Sequence, residues 1–517
     1  MASLLSPFPL VRAFGRTPFE LGFSQGSLLK DRIAKVSAWY LDDLFQSRWK
    51  IPVLDMQRQA EAMREQIRLF DGALMNEIEG VAAGAGVDVW RVLALNCRTE
   101  ILNRRKNEHK GPPPPPPPSH QNKEKKEEPG SEGCTTIGFP SLSLLCQNWD
   151  WDCNLEALLV ILKLTRLAPS EGGRLTSQGE EVEVDGDTQE LMERGAAAEV
   201  VVRQQGRLDP SFASSSHMIE KREDTTEATA CLQKWRQRPN PTIIAEPGII
   251  GKMGMNSAGV AVTLNFLSQG RVGDPGAVSV PVHVLLRGAL EAPSAAAAQK
   301  RMELEGRHRE GGGACRRSSN SCIGCVDREG GGWFAEMAGE DVDFLAAWNP
   351  ETSPAGQHGG GSSTAGNDSH PVLLHTNHYL SKQLLKILEG DEKAQGSQSS
   401  QSRMRRAVQK CDSASREGLL KRNQDNGVGP DSGGVDAAAS VREFCWELLR
   451  ERREEDSWPV CREYLPDENG LLAGTVCTVA FDCRSGTLSV CRGNRSGQGD
   501  RVSGDGSRAG IQLIMTT

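Results

Sequence analysis

Aromatic residues are scarce in this chain, 5% of 517 residues with only three tyrosines. With so few large apolar groups, 55 glycines and a negative mean hydropathy, the chain cannot pack into a core from end to end. The length is therefore read as one large domain carrying insertions. A basic surplus is also missing. The formal net charge is −8 with both signs interleaved, and no Lys/Arg stripe marks a surface for phosphate backbones, which excludes nucleic acid as a partner. No apolar run reaches membrane-spanning length. The opening "MASLLSPFPLVRAFGR" lacks a basic n-region and is interrupted by two prolines, and the closing "QLIMTT" is no peroxisomal tripeptide. A cytoplasmic protein without a membrane partner is expected.

Metal-ligand spacing is lacking too. Cys322 and Cys325 form a CxxC with no second pair at zinc-finger distance, and His375 and His378 have no HExxH context, so no metal is expected. The glycine patches lack the lysine and Ser/Thr of a phosphate loop. Fourteen cysteines scattered through so long a chain read as reduced thiols rather than a disulfide framework.

What the chain does have is periodic segments separated by polar ones. Residues 104–132, with a seven-proline run, and residues 168–238 (with room for a short helix near 189–205), 303–320, 351–370 and about 390–437 read as disordered insertions or linkers. Between them, Met56, Ala60, Met63, Ile67, Leu74 and Ile78 recur at helical spacing over 55–86, with Asp55 as the expected N-cap. A second helix is expected over "DVWRVLALNCRTEIL" and a third over "PVHVLLRGALEAPSAAAAQKRMEL". The stretch "TTIGFP" followed by "SLSLLCQNWDW" reads as a β-hairpin, and "ALLVILKL" as a buried strand. Four further segments are strand-like, "GKMGMNSAGVAVTLNFL", "SCIGCVDREGGGWFAEMAG", "VLLHTNHYL" and "GTVCTVAFDCRSGTLSVCRG". Helices on both outer faces of mainly antiparallel sheets is the architecture that follows, an α+β class.

Cys134 stands between Gly133 and two threonines, behind a solvated leader. Two readings are open: a buried cysteine at a strand start, or a nucleophile. Were the bond before it cut, its own α-amino group, with a pKa of about 7.7–8.0, would serve as base. Glycine before such a bond leaves the carbonyl open to the neighbouring thiol.

"GCTTIGF" followed by "CQNWDW" resembles the processing site of the acyl-coenzyme A:6-aminopenicillanic acid acyltransferase family, within the N-terminal nucleophile hydrolases. The resemblance extends to "FGRTPFELGFSQG", "LALNCRTEIL", "PTIIAEPGIIGKMGMNSAGVAVTLN", "LLHTNHYL" and "GTVCTVAFDCRSGTLSVCRG", in that order, and skips the insertions. It implies a four-layer αββα fold and a precursor cut between Gly133 and Cys134. The parts are then an N-terminal helical piece (1–103), a linker (104–133) and a catalytic piece (134–517) that keeps the first as its partner. Cys134 would form a thioester with an N-acyl group and pass it to water or an amine. Asp150 would hold the new α-amino group or the substrate's polar end. Asn377 would donate its amide to the oxyanion, beside the backbone at Asn256, and Thr135 and Thr136 would line the substrate. No cofactor is implied, though a coenzyme A thioester is one acyl donor the resemblance allows.

The chain departs from that family at two places. Leu471 and Leu472 stand where the penicillin enzyme has a Ser-Arg pair, and Gln147 where the bile-salt amidases have an arginine. Two leucines cannot pair a carboxylate, so a more apolar or differently charged amine side is expected. Two alternatives stay open: an inactive member acting as a binding or scaffold protein, and a cysteine peptidase using a distant histidine without self-cleavage.

Overall fold

Two large sheets carry the chain in the computed structural model, which describes residues 8–108, 133–168, 175–177, 180–182, 187, 189–191, 193–199, 225–267, 278–303, 319–348, 369–389, 392–420, 437–451, 459–466, 471–493 and 511–513. The first sheet runs in the order β1 (Leu10–Gly15), β4 (Val160–Arg166), β7 (Pro241–Ala245), β8 (Gly254–Asn256), β9 (Val260–Phe266), β10 (Ser319–Asp327), β11 (Gly332–Gly339), β12 (Asp341–Leu345). Its neighbours are antiparallel except β1, which lies parallel to β4 with Leu10 opposite Ile161. The second runs β13 (Leu373–His375), β2 (Cys134–Phe139), β3 (Leu144–Asp152), β15 (Leu472–Asp482), β16 (Thr487–Arg492), β17 (Ile511–Leu513), with β14 (Leu465–Pro466) paired to β15. A small hairpin, β5 (Leu175–Ser177) and β6 (Glu180–Val182), stands apart.

Alternation along β2 decides what each sheet face meets. Thr136 and Gln147 point toward the first sheet, Thr136 Oγ1 donating to Asn265 Oδ1 at 2.6 Å and Gln147 Nε2 to the Leu264 carbonyl. Ile137 and Phe139 point the other way and pack with Met404, Val408, Cys411 and Phe444. The expected hairpin forms, with Cys134 opposite Trp149, and "ALLVILKL" becomes β4.

The long helix spans Val53–Ala85, and all six residues of its expected stripe are buried. Its start differs from expectation. Pro52 caps it with no side-chain bond, while Asp55 lies inside the first turn, where a carboxylate still meets the positive helix end, and pairs with Arg58. The helix expected from residue 281 onward is two helices, Val282–Leu290 and Ala295–Glu303, because Pro293 supplies no amide to the helical ladder.

A larger difference concerns residues 390–437. A 19-residue helix, Gln398–Arg416, runs through this stretch, capped by Ser397 and burying Met404, Ala407, Val408, Cys411 and Ala414. Its apolar stripe is thin, and polar neighbours swamp it in any composition-based reading. The Thr225–Arg236 helix likewise lies in the expected 168–238 insertion and buries Trp235. The other expected insertions, and the linker from 109 to 132, lie mainly outside the described residues.

Candidate active site

The backbone at Gly133 and Cys134 is held from three sides. The Asp150 amide donates to the Gly133 carbonyl at 2.8 Å. The Cys134 amide donates to Asn377 Oδ1, also at 2.8 Å. The Cys134 carbonyl accepts from Arg403 at 2.7 Å. Because Gly133 and Asp150 share the ladder bond, Cys134 and Trp149 form the next, non-hydrogen-bonded pair, whose side chains stand closest across an antiparallel ladder.

Gly133 is glycine for a steric reason. A Cβ there would lie 2.5 Å from Asp150 Oδ2 and 2.6 Å from the Arg462 guanidinium. Asp150 is buried; its Oδ1 accepts from Thr475 Oγ1 at 2.6 Å, while Oδ2 accepts no hydrogen bond among the described residues. Arg462 faces that oxygen at 3.8 Å, an ion pair too long for a hydrogen bond. Burial pushes the Asp150 carboxyl up, and Arg462 and then Arg403 pull it back. In a Cys134→Ala background, Gly133→Ala is expected to cost about 1–3 kcal/mol of stability by overpacking against this pair. Urea unfolding checks it, and an unchanged midpoint would mean that the two side chains simply move aside.

Arg403 was not legible as a site residue, since it lies on the Gln398–Arg416 helix. Fully buried, it donates to the Cys134 carbonyl, to Thr135 Oγ1 at 2.8 Å and to Asn377 Oδ1 at 2.8 Å. Burial lowers its pKa to about 10, opposed by Asp150. Even there it stays cationic at neutral pH. Two donors converge on Asn377 Oδ1, and the Asn377 amide donates to the Phe266 carbonyl at 2.8 Å. One N–H of the amide expected to face an oxyanion thus goes to β9, and the side-chain oxygen holds the Cys134 amide. The Asn377 backbone amide donates in turn to Ser400 Oγ, which also meets His378 Nδ1 at 2.9 Å.

On the inner face the neighbours are aromatic and charged. Lys252 Nζ lies 3.9 Å from the Trp149 ring centroid and 3.1 Å from Glu246 Oε2. Glu246 also accepts from Tyr40 and, at 3.4 Å, from Arg98, while Trp151 Nε1 donates to the Tyr40 hydroxyl at 2.8 Å. Burial raises the Glu246 carboxyl, but Arg98 and Lys252 together outweigh it and hold it at about 2. Tyr40 and Arg98 come from the chain before Cys134, Glu246 and Lys252 from beyond it.

The other residues singled out in the sequence take these places. Asn256 closes its own turn, bonding the carbonyls of Leu290 and Ala292 and the amides of Ala258 and Val260; none of these bonds reaches Cys134. Thr136 bridges to β9. Leu471 lines a pocket of about 310 Å³ with Trp39, Leu44 and Arg48, and Leu472 is exposed. His375 Nε2 lies 2.6 Å from Glu336 Oε1, and its Nδ1 lies 2.8 Å from the Thr376 carbonyl oxygen. Cys322 and Cys325 lie on β10, buried. Among the described residues no three His, Cys, Asp or Glu side chains form a metal-sized group, and no helix is long and apolar enough to cross a membrane.

No protein-family model matches the chain. Over 294 residues it is 24% identical to the acyl-coenzyme A:6-aminopenicillanic-acid-acyltransferase 40 kDa form of Emericella nidulans, a match covering 56% of this chain. The chain spans about half of that relative, 55% of its length. Among solved structures it is similar to the C2A mutant of conjugated bile acid hydrolase from Clostridium perfringens, at 11% identity and a TM-score of 0.30, over 70% of this chain and 89% of the other. That superposition is too loose to argue from, so the similarity that bears on this chain is the one in sequence, to an acyltransferase.

Proposed function

We propose that the chain is a self-processing cysteine amidohydrolase or acyltransferase of the N-terminal nucleophile kind, built as four αββα layers, with Cys134 as nucleophile. The observation that carries this reading is the clamp on the Gly133 to Cys134 peptide, in which an amide aims at the Gly133 carbonyl oxygen and a buried carboxylate oxygen waits beside its Cα. The similarity to an acyltransferase supports it.

In the proposed maturation the Cys134 thiol attacks the Gly133 carbonyl. The charge that develops on that oxygen meets the Asp150 amide, already in hydrogen-bond position; one such donor is worth about 3–4 kcal/mol in other enzymes. Expulsion of the Cys134 nitrogen leaves a thioester, which water hydrolyses. The freed amine keeps Asn377 Oδ1 and gains the vacant Asp150 oxygen, and it then serves as base for later turnovers. Residues 8–108 stay attached, because they supply β1 and the Tyr40 and Arg98 bonds to Glu246.

The substrate in this reading is a small acyl amide or acyl thioester, coenzyme A thioesters included. Leu471 and Leu472, standing where the resembled family has a Ser-Arg pair, favour an apolar or differently charged amine side over a carboxylate. A histidine-assisted peptidase fits less well, because both ring nitrogens of His375 and the Nδ1 of His378 are already engaged. The test is an acid-quenched incubation with a panel of N-acyl amides and acyl thioesters. The expected result is an acyl mass on the peptide that begins Cys-Thr-Thr, removable by hydroxylamine. A cut protein that never acquires such an adduct would point to a binding role instead.

A further inference from the structure

We infer that Lys252 takes the thiol proton of Cys134 in the uncut chain, before any free α-amino group exists. The inference rests on the self-processing reading and supplies the step that reading lacks. While Gly133 is attached, the Cys134 nitrogen is an amide whose hydrogen goes to Asn377, so it has no basic lone pair. Another base must start the first cut. His375 has both ring nitrogens engaged, and His283, although its Nε2 is unpartnered among the described residues, is made a weak base by burial and by the charges of Arg98 and Lys252, which push it well below the ordinary histidine range.

Lys252 has the right place. Its Nζ sits 3.9 Å over the Trp149 ring, and Trp149 is the side chain beside Cys134 on the inner face of the hairpin. The amine and the thiol feel each other's charge. The groups around Lys252 come from every packed element: Glu246 after β7, Arg98 and Tyr40 from the N-terminal helices, His283 from the Val282–Leu290 helix, Cys134 on β2 and Cys477 on β15. Burial is the largest influence and lowers the amine to about 8, against the pull of Glu246. About a tenth of the chains then hold it neutral at pH 7, a useful fraction for a general base.

The chemistry balances. The proton passes from Cys134 Sγ to neutral Lys252 Nζ; a C–S bond forms at Gly133 as its carbonyl pair moves to oxygen. Collapse breaks the C–N bond, and the ammonium returns the proton to the departing nitrogen. Water then releases the Gly133 carboxylate and restores the thiol.

Freshly synthesised full-length chain, followed on gels from pH 6.5 to 9, tests this. Wild-type cutting is expected to rise about tenfold per pH unit below 8 and to level off above it. Lys252→Arg keeps a cation for Glu246 and for the Trp149 face but cannot give up its proton, and should cut at least about 100-fold more slowly. Lys252→Ala should regain cutting when methylamine is added, in proportion to its neutral form. Lys252→Arg cutting at the wild-type rate overturns the inference while leaving self-processing intact, as does a slow Lys252→Ala that ignores methylamine. If Lys252→Ala does not fold, the arginine variant decides alone. A wild-type chain that stays whole at every pH overturns self-processing, and this inference with it.

Discussion

Purified wild-type protein is expected to separate into two polypeptides on denaturing gels, the second starting Cys-Thr-Thr, while Cys134→Ala runs as one chain. The loss should be complete, because alanine offers no atom that can attack Gly133. Cys134→Ser is expected to fall between the two. Its hydroxyl can attack the same carbonyl, but thiols hold a few per cent thiolate at pH 7 and hydroxyls do not, so cutting slows by about 100-fold or more. N-terminal sequencing with intact mass checks all three. An uncut wild type would sink the maturation scheme. A cut that persists in Cys134→Ala would assign it to another protease.

Arg287→Met is expected to weaken the bond between the two pieces after cutting by about 3–5 kcal/mol, roughly 10² to 10⁴ in affinity. Arg287 is fully buried. It donates to both Glu77 oxygens at 2.9 and 2.8 Å and to Glu291 at 3.0 Å. Glu291 also pairs with Arg166 and Arg238, and Asp71 binds Arg238 and Arg301. Glu77 and Asp71 belong to the first piece, and the four arginines to the second. Removing one cation strands Glu77 without a partner away from water, which costs far more than the pair itself contributes. The charges of Arg166, Arg287 and Arg238 overcome burial and hold Glu291 far below the usual carboxylate range. Its contribution is therefore present above the unfolded carboxylate pKa and is lost only in strong acid. Size exclusion at falling concentration and urea unfolding report the change. Arg58→Met, at an exposed pair, should stay within about 0.5 kcal/mol. Pieces that stay together equally well without Arg287 would show that packing, not this lattice, joins them.

The hairpin around Cys134 was legible because both strands alternate and the turn residues are typical. The Val53–Ala85 helix was legible because its stripe is dense. Arg403 was hidden by a helix whose buried face is Met404, Ala407, Val408, Cys411 and Ala414, small or isolated apolar groups among charges. That spacing was the only signal available. Lys252, Glu246, Tyr40 and Arg98 were hidden for another reason. Periodicity finds apolar faces, whereas a buried polar cluster assembled from three distant segments leaves no local pattern. The bonds of Asn377 were not legible because the sequence supplies its type and neighbours but not the direction in which its amide is turned.

Gly133 and Cys134 are both buried at the first step of an inner strand. A bond in that position lies beyond the reach of any second folded molecule. Maturation by the route proposed here is thus a private, once-only event in each copy, first order in protein and indifferent to dilution. Active copies could not spread the cut to inert ones, and a defective copy in a mixed population would neither be rescued nor slow its neighbours.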